Sequence, residues 1–363
     1  MPTSPSDAIE LGALSRALVV KLRHHGDVLL ASPVFSVLKR CAPRLEIDAL
    51  VYEDTREMLS RHPAISQIHG VGRQWRSLGW RARAAREWRL FRTLRDRRYD
   101  LIIHLSEHPR GAWLARALGC RYAVAPGYRG RSRFWTQSFS HRFALPLNGR
   151  RHMVEWNLDA LRRIGVQPGP HERALVLVPG AQAEAEADRL LAAHGLPNKS
   201  FIHLHPASRW SFKCWPAERN AALVDALALR NERVVITASP DPAECAFVRD
   251  IVSRCKNAVV DLSGAVSLST LAAMVARASL FIGVDSAPMH IACAMGTPVV
   301  ALFGPSGEYD WGPWSQKARV VASGRHPCRP CGIDGCGGGK LSDCLTSLPE
   351  AAVLSAIDAL RSG

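Results

Sequence analysis

The sequence lacks three features that would assign it directly to a large class of proteins. No apolar run reaches about 18 residues, so no membrane-spanning helix is predicted. Neither G-x-G-x-x-G nor G-x-x-x-x-G-K-[ST] occurs, which disfavours nicotinamide-binding and P-loop sites. The first sixteen residues contain no basic stretch followed by an apolar core, which disfavours a secretory signal. We therefore expect the chain to remain in the cytoplasm.

Acidic residues are scarce in one half of the chain only. The 363 residues include 47 Lys and Arg against 32 Asp and Glu, a formal net charge of +15. Residues 1–165 hold 29 of the basic and 14 of the acidic residues, whereas residues 166–363 hold 18 of each. The length predicts two domains, which we place at 1–165 and 166–363. The asymmetry excludes a uniformly basic nucleic-acid coat and indicates that the first half meets an anionic partner.

Short β-branched runs alternate with helical patterns in both halves of the chain, which is typical of parallel sheets with helices on both faces. The predicted strands include 18–22, 47–52, 99–105, 201–206, 233–239 and 279–286. The sequence therefore predicts an α/β fold with two Rossmann-like domains facing a central cleft. Ligands bind beyond the carboxyl ends of strands in such sheets, so functional residues are expected just after these runs.

The first candidate residue follows the first strand, in KLRHHGDVLLASP (21–33). Gly26 permits a tight turn, and Asp27 begins the next helix. A carboxylate at this position is suited to take a proton from a hydroxyl group. The alternative interpretation is that Asp27 only caps the helix.

Two further candidate segments lie in the second half of the chain. HPASRWSFKCWP (205–216) carries Ser208, Arg209 and Lys213, whose hydroxyl, guanidinium and ammonium groups suit a diphosphate; a solvated loop is the alternative. Trp215 is interpreted as a packing residue. In FIGVDSAPMH (281–290), Asp285 ends a strand, and the N–H groups of the following helix suit phosphate. A carboxylate beside phosphate is unfavourable, so Asp285 is predicted to hold sugar hydroxyls.

Two features allow more than one interpretation. The first is a group of four cysteines spaced C-x2-C-x4-C-x7-C, which either hold zinc or an iron–sulfur cluster or remain thiols in a disulfide-prone loop. They are Cys328, Cys331, Cys336 and Cys344. The second is the Arg-rich segment 76–98, in which Trp80, Trp88 and Leu94 share one side of a helix. Such a helix either binds a membrane surface or buries its apolar side in the core.

Together, GDVLLASP, HPASRWSFKCWP and FIGVDSAPMHIACAMGTPVVALFGPS resemble the heptosyltransferases of lipopolysaccharide inner-core assembly in glycosyltransferase family 9. The resemblance extends from about residue 16 to about residue 360. The tail PCRPCGIDGCGGGKLSDCL resembles the heptosyltransferase III branch. The family implies a GT-B fold and inverting transfer of L-glycero-D-manno-heptose from ADP-heptose to a core heptose, without a metal or another cofactor.

The resemblance also implies roles for individual residues. Asp27 would be the general base, and Lys213 would stabilise the departing ADP together with Ser208 and Arg209. Glu244 would hold the ribose, and Asp285 the donor heptose. The remaining donor-binding residues would be Val266, Ser267 and Leu268 around adenine, and Ser286, Ala287, Pro288, Met289 and His290 around the diphosphate. The acceptor would meet His25, Gly26, Arg129, Arg131 and Arg133.

The expected partners are ADP-heptose, the lipid A–core acceptor and the anionic inner face of the inner membrane, to which the protein would bind peripherally from the cytoplasm. Nucleic acid is not an expected partner. Two alternatives stay open within the same fold, namely another nucleotide-sugar donor and the acceptor specificity of heptosyltransferase I or II. A more remote alternative is a nucleic-acid-binding protein with a four-cysteine metal site, which the neutral charge of the cysteine-bearing half disfavours.

Overall fold

The computed structural model describes residues 6–145 and 150–362, and the chain divides into two compact units, Met1–Val178 and Pro179–Gly363. Each unit is built around a parallel sheet of six strands, with helices packed on it. The predicted α/β fold with two Rossmann-like units is confirmed. Residues 1–5, which begin the N-terminal stretch discussed above, lie outside the described residues.

The sheet of the first unit has the strand order β3-β2-β1-β4-β5-β6. Its strands are β1 (Arg16–Lys21), β2 (Glu46–Tyr52), β3 (Gln67–Val71), β4 (Leu101–His104), β5 (Tyr122–Pro126) and β6 (His141–Phe143). Every side chain of β4, and all but the first of β1, is buried. Parallel strands covered on both faces need continuous apolar runs, which explains why these two strands were readily recognised in the sequence.

The helices of the first unit connect these strands. They are α1 (His25–Leu29), α2 (Ser32–Cys41), α3 (Trp80–Asp96), α4 (Arg110–Ala117), α5 (Arg133–Gln137) and α6 (Met153–Arg162). Short 3-10 helices lie at Leu11–Ala13, Glu53–Met58, Arg73–Ser77 and Pro170–Arg173. The segment from His25 to Cys41 forms two helices, because the chain turns between Leu29 and Ser32.

The first unit ends at Val178, later than the boundary after residue 165 that the sequence analysis placed. The segment beyond α6 returns to the first unit, where the Val176 N–H donates to the Ser32 hydroxyl at 2.9 Å. Glu172 in the same segment forms an ion pair with Arg40 of α2. These contacts join residues far apart in sequence, so composition alone could not place the boundary.

The sheet of the second unit has the strand order β12-β11-β10-β7-β8-β9. Its strands are β7 (Phe201–His205), β8 (Arg233–Ile236), β9 (Val260–Asp261), β10 (Leu280–Val284), β11 (Val299–Phe303) and β12 (Ala318–Ala322). When the strands of each unit are counted from its own first strand, both sheets have the order 3-2-1-4-5-6. This is the strand order of dinucleotide-binding Rossmann domains.

The helices of the second unit complete this arrangement. They are α7 (Ala181–Ala193), α8 (Ala217–Ala228), α9 (Pro242–Arg254), α10 (Leu268–Arg277), α11 (Ala287–Ala294), α12 (Glu308–Trp311), α13 (Asp343–Thr346) and α14 (Glu350–Arg361). Short 3-10 helices lie at Ser211–Lys213 and Cys336–Gly338. Of the helices in the described part of the chain, none combines the length and apolar character that crossing a membrane requires.

The shared strand order determines where each unit can bind a ligand. In the first unit β1 pairs with β4, and in the second β7 pairs with β10. At each of these central pairs the strand order reverses its direction across the sheet. This reversal opens a crevice beyond the carboxyl ends of the two strands. The candidate segments around Asp27, Lys213 and Asp285 all follow one of these four strands directly.

Candidate active site

Asp27 lies in α1, immediately after β1, and its side chain is buried. The His24 N–H donates to Asp27 Oδ2 at 3.3 Å, within a reciprocal capping box between the two residues. Asp27 Oδ1 lies 3.5 Å from Nε of Arg23. The carboxylate therefore does cap the helix, as the alternative interpretation states. The same contacts fix its orientation at the carboxyl end of the central strand, so capping and proton transfer are compatible.

Lys21, the last residue of β1, is a charged neighbour of Asp27 that the sequence analysis missed. Its side chain is buried, and Nζ donates to the Leu105 carbonyl and to Asn157 Oδ1, both at 3.0 Å. Burial lowers the pKa of Lys21 to about 8, and the negative charge of Asp27 opposes that shift. A lysine inside the apolar run LVVKL was the available signal, because lysine is rarely buried without polar partners.

The predicted acceptor residues occupy two regions of the first unit. Gly26 and His25 lie in α1, where His25 Nε2 donates to the Asp54 carbonyl at 2.8 Å. The three arginines follow β5, two strands away from β1. Arg131 packs over the rings of Tyr128 and Trp135, with its guanidinium carbon 5.2 and 4.8 Å from the ring centres. Arg129 and Arg133 are exposed.

The closest pair of opposite charges in the second unit's crevice is Lys213 with Asp285. Nζ of Lys213 donates to Asp285 Oδ2 at 2.6 Å, across a sequence separation of 72 residues. The two side chains are only 21% and 9% exposed. Because a carboxylate beside phosphate is unfavourable, Asp285 was predicted to hold the hydroxyls of the donor sugar, and this role stays a prediction. The structure shows that the carboxylate contacts the ammonium group and is positioned to orient it.

The rest of the loop after β7 carries the other predicted residues of this segment. The Ser208 hydroxyl is half-buried and accepts the Trp210 N–H at 3.4 Å, and Arg209 is exposed. Trp215 is 1% exposed and donates from its indole to the Leu348 carbonyl at 3.1 Å. Trp215 is therefore a packing residue, as predicted. It anchors the end of the loop whose middle carries Lys213.

The N-terminus of α11 offers fewer phosphate donors than the sequence analysis expected. Ser286 is the N-cap, and Pro288 in the first turn has no N–H group. The Met289 N–H donates to the Ser286 carbonyl at 3.2 Å. The backbone donors that remain to face an anion are those of Ser286 and Ala287. The prediction that the whole segment Ser286 to Met289 binds diphosphate therefore narrows to its first two residues.

The remaining donor-site residues follow the next two strands of the same sheet. Glu244, in the first turn of α9 after β8, accepts the Ser239 N–H at 3.3 Å. Ser267 caps α10 after β9, accepting the Thr270 N–H at 3.0 Å, and half-buried Val266 and Leu268 flank it. Because the strands lie in the order β10-β7-β8-β9, the residues that follow them lie in the same spatial order along one edge of the sheet. These residues are Asp285, Lys213, Glu244 and Val266–Leu268. Their individual roles stay predictions.

Three buried histidines belong to the same region. His203 and His205 of β7 both hydrogen-bond the Thr237 hydroxyl, at 2.8 and 2.9 Å. Burial lowers their pKa values to about 3 and about 4, so both are neutral at neutral pH. His290 is buried in α11. Neutral, buried rings are typical of structural roles, which fits His203 and His205, and the donor-binding role of His290 stays a prediction.

The cysteine-rich tail provides no metal centre in the described structure. Cys328, Cys331 and Cys336 are exposed, and Cys344 is buried in α13, where burial raises its pKa. Within residues 6–145 and 150–362, no three His, Cys, Asp or Glu side chains are grouped so that they can hold a metal ion. The Cys336 sulfur accepts the Asp343 N–H at 3.4 Å, which ties the tail to α13.

The Arg-rich segment forms the long helix α3, and most of its apolar side is not in the core. Leu94 is fully buried, but Trp80 and Trp88 are 76% and 58% exposed. Trp113, on the neighbouring helix in sequence, is 63% exposed. Exposed tryptophans on an arginine-rich helix favour the surface-binding interpretation over burial of the whole apolar side.

Comparison with known proteins places this geometry among relatives. The model of glycosyltransferase family 9 (heptosyltransferase) matches residues 87–340. Lipopolysaccharide heptosyltransferase 3 of Escherichia coli is 34% identical over 93% of this chain and 97% of its own length. The glycosyl transferase family 9 structure from Veillonella parvula has a TM-score of 0.82 at 24% identity, covering 98% of this chain and 99% of that one. The E. coli heptosyltransferase WaaC with ADP has a TM-score of 0.74 at 21% identity, covering 95% and 99%. These structures have the GT-B fold that the resemblance implied.

Proposed function

The chain belongs to glycosyltransferase family 9, the heptosyltransferases, and we propose that it transfers L-glycero-D-manno-heptose from ADP-heptose to a heptose of the lipopolysaccharide inner core. The observation that carries this proposal is the order of groups along the second unit's sheet. An ammonium with its carboxylate partner, a second carboxylate and a half-buried apolar patch follow successive strands. In this spatial order, the groups match the diphosphate, the ribose and the adenine of ADP.

The donor proposal assigns each part of ADP-heptose to a strand end. Lys213 and the N–H groups of Ser286 and Ala287 bind the diphosphate at β7 and β10. Glu244 accepts hydrogen bonds from the ribose hydroxyls beyond β8, and Val266 to Leu268 line the adenine beyond β9. The E. coli heptosyltransferase that shares this fold was solved with ADP, which supports an ADP-containing donor for this chain.

The reaction inverts the anomeric carbon in one displacement. The acceptor hydroxyl oxygen attacks that carbon as Asp27 takes its proton, and the bond to the diphosphate oxygen breaks. Negative charge grows on the departing ADP, where Lys213 and the two N–H groups stabilise it. Fixed positive groups of this kind perform the task of a divalent cation, so the proposed mechanism requires no metal or cofactor.

The acceptor and the membrane surface are assigned to the first unit. The net charge of +15 resides in residues 1–165, and the lipid A–core acceptor and the inner leaflet are both anionic. Of the predicted acceptor residues, His25 and Gly26 lie beside Asp27 in α1, and Arg129, Arg131 and Arg133 follow β5. Exposed Trp80 and Trp88 would enter the headgroup region while the arginines of α3 meet anionic lipid. The proposed location is therefore the cytoplasmic face of the inner membrane.

The test is transfer by the purified full-length protein onto truncated lipopolysaccharide acceptors, followed by mass spectrometry of the lipid A–core. We expect one added heptose with ADP-heptose and none with UDP- or GDP-sugars. Acceptors that end at successive inner-core positions distinguish the third heptose from the first two. Addition of a different sugar, or no addition to any core acceptor, would contradict the proposal.

The Asp27→Ala variant tests the base separately. Because Asp27 acts on the acceptor proton, we expect kcat to fall about 100- to 10,000-fold with little change in ADP affinity. Asp7→Ala is the matched control, since Asp7 is an exposed carboxylate of the same unit that pairs with Arg163 instead. Near-normal turnover by Asp27→Ala would remove the residue from the mechanism.

A further inference from the structure

A cavity in the first unit contains none of the residues assigned above to the reaction. It has a volume of about 270 Å³ and lies beyond the carboxyl ends of β2 and β3. Its walls come from those strand ends, the 3-10 helix at Arg73–Ser77, helix α3 and the loop that leads to α4. Four arginines line it, Arg73, Arg76, Arg83 and Arg110, together with Glu87. We call this cavity the arginine pocket.

The charges of the arginine pocket do not cancel. Arg110 pairs with Glu87 through two contacts, at 2.5 and 2.6 Å, and Arg73 pairs with Asp54 at 3.0 Å. Among the residues that the structure describes, neither Arg76 nor Arg83 has an ion-pair partner. Two positive charges are therefore left over. A phosphate monoester carries about −1.5 to −2 charges at neutral pH, which matches this excess.

Two of the four guanidinium groups are held in place. Both terminal nitrogens of Arg110 are directed at Glu87, and this bidentate contact fixes the plane of the group. Arg73 stacks on the ring of Tyr52, 3.8 Å from its centre, and also donates to the Arg23 carbonyl at 2.9 Å. Arg73 and Arg110 therefore form fixed walls of the pocket, and the exposed Arg76 and Arg83 supply the N–H donors for an anion.

An aromatic side chain completes the wall of the arginine pocket. Trp75 packs so closely on Gly72 that a Cβ atom at Gly72 would lie 2.2 Å from the indole nitrogen. A glycine is therefore required for the indole to occupy this position. The pocket thus combines guanidinium groups, which suit phosphate oxygens, with an aromatic ring, which suits the apolar face of a sugar.

The lowered pKa of His108 is a second sign of positive charge in the arginine pocket. This half-buried imidazole lines the pocket, and its Nδ1 accepts the Arg110 N–H at 3.2 Å. Burial lowers its pKa first, and the charges of Arg110 and Arg76 lower it further. Charges strong enough to disfavour imidazolium would favour an anion at the same place.

We propose that the arginine pocket binds a phosphate monoester carried by a sugar of the acceptor. This inference rests on the proposed function, because it assigns the phosphate to the acceptor of that reaction. The pocket is connected to the candidate base through Arg73, which contacts the backbone of Arg23, whose side chain lies 3.5 Å from Asp27. A phosphate held here therefore lies along the same edge of the sheet as the hydroxyl that Asp27 deprotonates.

Binding is tested first without any transfer reaction. The full-length protein, saturated with ADP to occupy the donor site, is titrated with mannose 6-phosphate, mannose and glucuronate by calorimetry. We expect binding of the phosphomonoester only, weakened at least tenfold by the double substitution Arg76→Gln and Arg83→Gln. The control is Arg44→Gln with Arg61→Gln, which removes the same charge from exposed positions before β2 and β3. We expect the control to bind like the wild type.

Three results of this titration would overturn the pocket assignment. They are no binding by the wild type, equal weakening by both double variants, and equal affinity for glucuronate. Glycerophosphoglycerol, the soluble phosphodiester headgroup of phosphatidylglycerol, forms a further arm of the experiment. If it displaced mannose 6-phosphate from the wild type, the occupant would be a lipid phosphodiester, and the acceptor assignment would be wrong.

Transfer assays then connect the pocket to the acceptor. With phosphorylated core acceptor, the Arg76/Arg83 variant should lose at least tenfold in kcat/KM, and with phosphatase-treated acceptor it should match the wild type. Equal losses with both acceptors would contradict recognition of the phosphate. If the wild type bound mannose 6-phosphate in the pocket but transferred no heptose, the proposed function would fail while the pocket assignment stood.

Discussion

Replacing Asp285 with Asn tests whether this carboxylate acts through Lys213 or directly on the donor sugar. The substitution keeps the shape of the side chain but removes the charge that Nζ contacts at 2.6 Å. A hydrogen bond between charged groups contributes about 1.5–3 kcal/mol, and this pair is mostly buried, so little is lost to solvent screening. If Asp285 orients Lys213 toward the leaving ADP, losing that amount lowers kcat by about 10- to 100-fold.

The affinity for ADP should respond in the opposite direction. Asp285→Asn removes a negative charge next to the ammonium that binds the diphosphate, so ADP should bind equally well or more tightly. Lys213→Met should weaken ADP binding and lower kcat together, because it removes the positive charge itself. The assays are calorimetric titration with ADP and initial rates of ADP release with ADP-heptose and core acceptor.

The double variant decides between the two roles of Asp285. If the carboxylate acts through Lys213, adding Asp285→Asn to Lys213→Met lowers kcat little further. The coupling energy between the two substitutions, calculated from kcat, is then about 1.5–3 kcal/mol. If Asp285 instead grips the heptose hydroxyls, the two effects add, and Asp285→Asn weakens ADP-heptose but not ADP. Additive losses in kcat would therefore refute the orienting role that we infer from the contact.

Three further predictions concern stability and surface binding. Lys21→Met should lower the free energy of unfolding by about 2–4 kcal/mol in urea titrations, because two buried oxygen acceptors lose their donor. Burial lowers the pKa of His62 from 6.5 to about 4, so the folded state binds fewer protons than the unfolded state between those values, and stability falls as the pH drops below 6.5. His62→Gln should remove about 2 kcal/mol of the stability difference between pH 7.5 and pH 5. Trp80→Ala with Trp88→Ala should reduce binding to phosphatidylglycerol vesicles roughly tenfold without lowering Tm, since both rings are exposed.

The fold was predictable to the extent that its strands are buried on both faces. The central strands β1, β4, β7 and β10 are mostly apolar and buried along nearly their whole length, and their β-α alternation indicated the parallel sheets. The strands that were missed carry polar residues or lie toward the margins of the sheets, such as β3 (Gln67–Val71), β6 (His141–Phe143) and β12 (Ala318–Ala322). A marginal strand is covered less completely, so its sequence needs no continuous apolar run.

The candidate site was predictable at strand ends, and less so where it depends on contacts between distant segments. Asp27, Lys213 and Asp285 each follow a recognisable strand, so topology alone placed them in a crevice. That Asp285 contacts Lys213 could not be read from residues 72 positions apart. The arginine pocket likewise combines residues from Tyr52 to Arg110. In the sequence, Arg76 and Arg83 belonged to the Arg-rich segment 76–98, and Arg73 and Arg110 lay outside it.

The structure divides the positive charge of the first unit between two tasks with different physical behaviour. The exposed arginines of α3 that lie outside the pocket act on an anionic surface at long range, and salt screens them beyond a Debye length of about 8 Å at physiological ionic strength. The arginine pocket acts at contact distance, where half-buried Arg110 and Glu87 are screened less. Long-range charge raises the rate of encounter with any anionic surface, whereas the pocket distinguishes one ligand from another. A net charge of +15 alone therefore indicates attraction to anions, and only the arrangement of Arg76, Arg83 and their paired neighbours indicates selection among them.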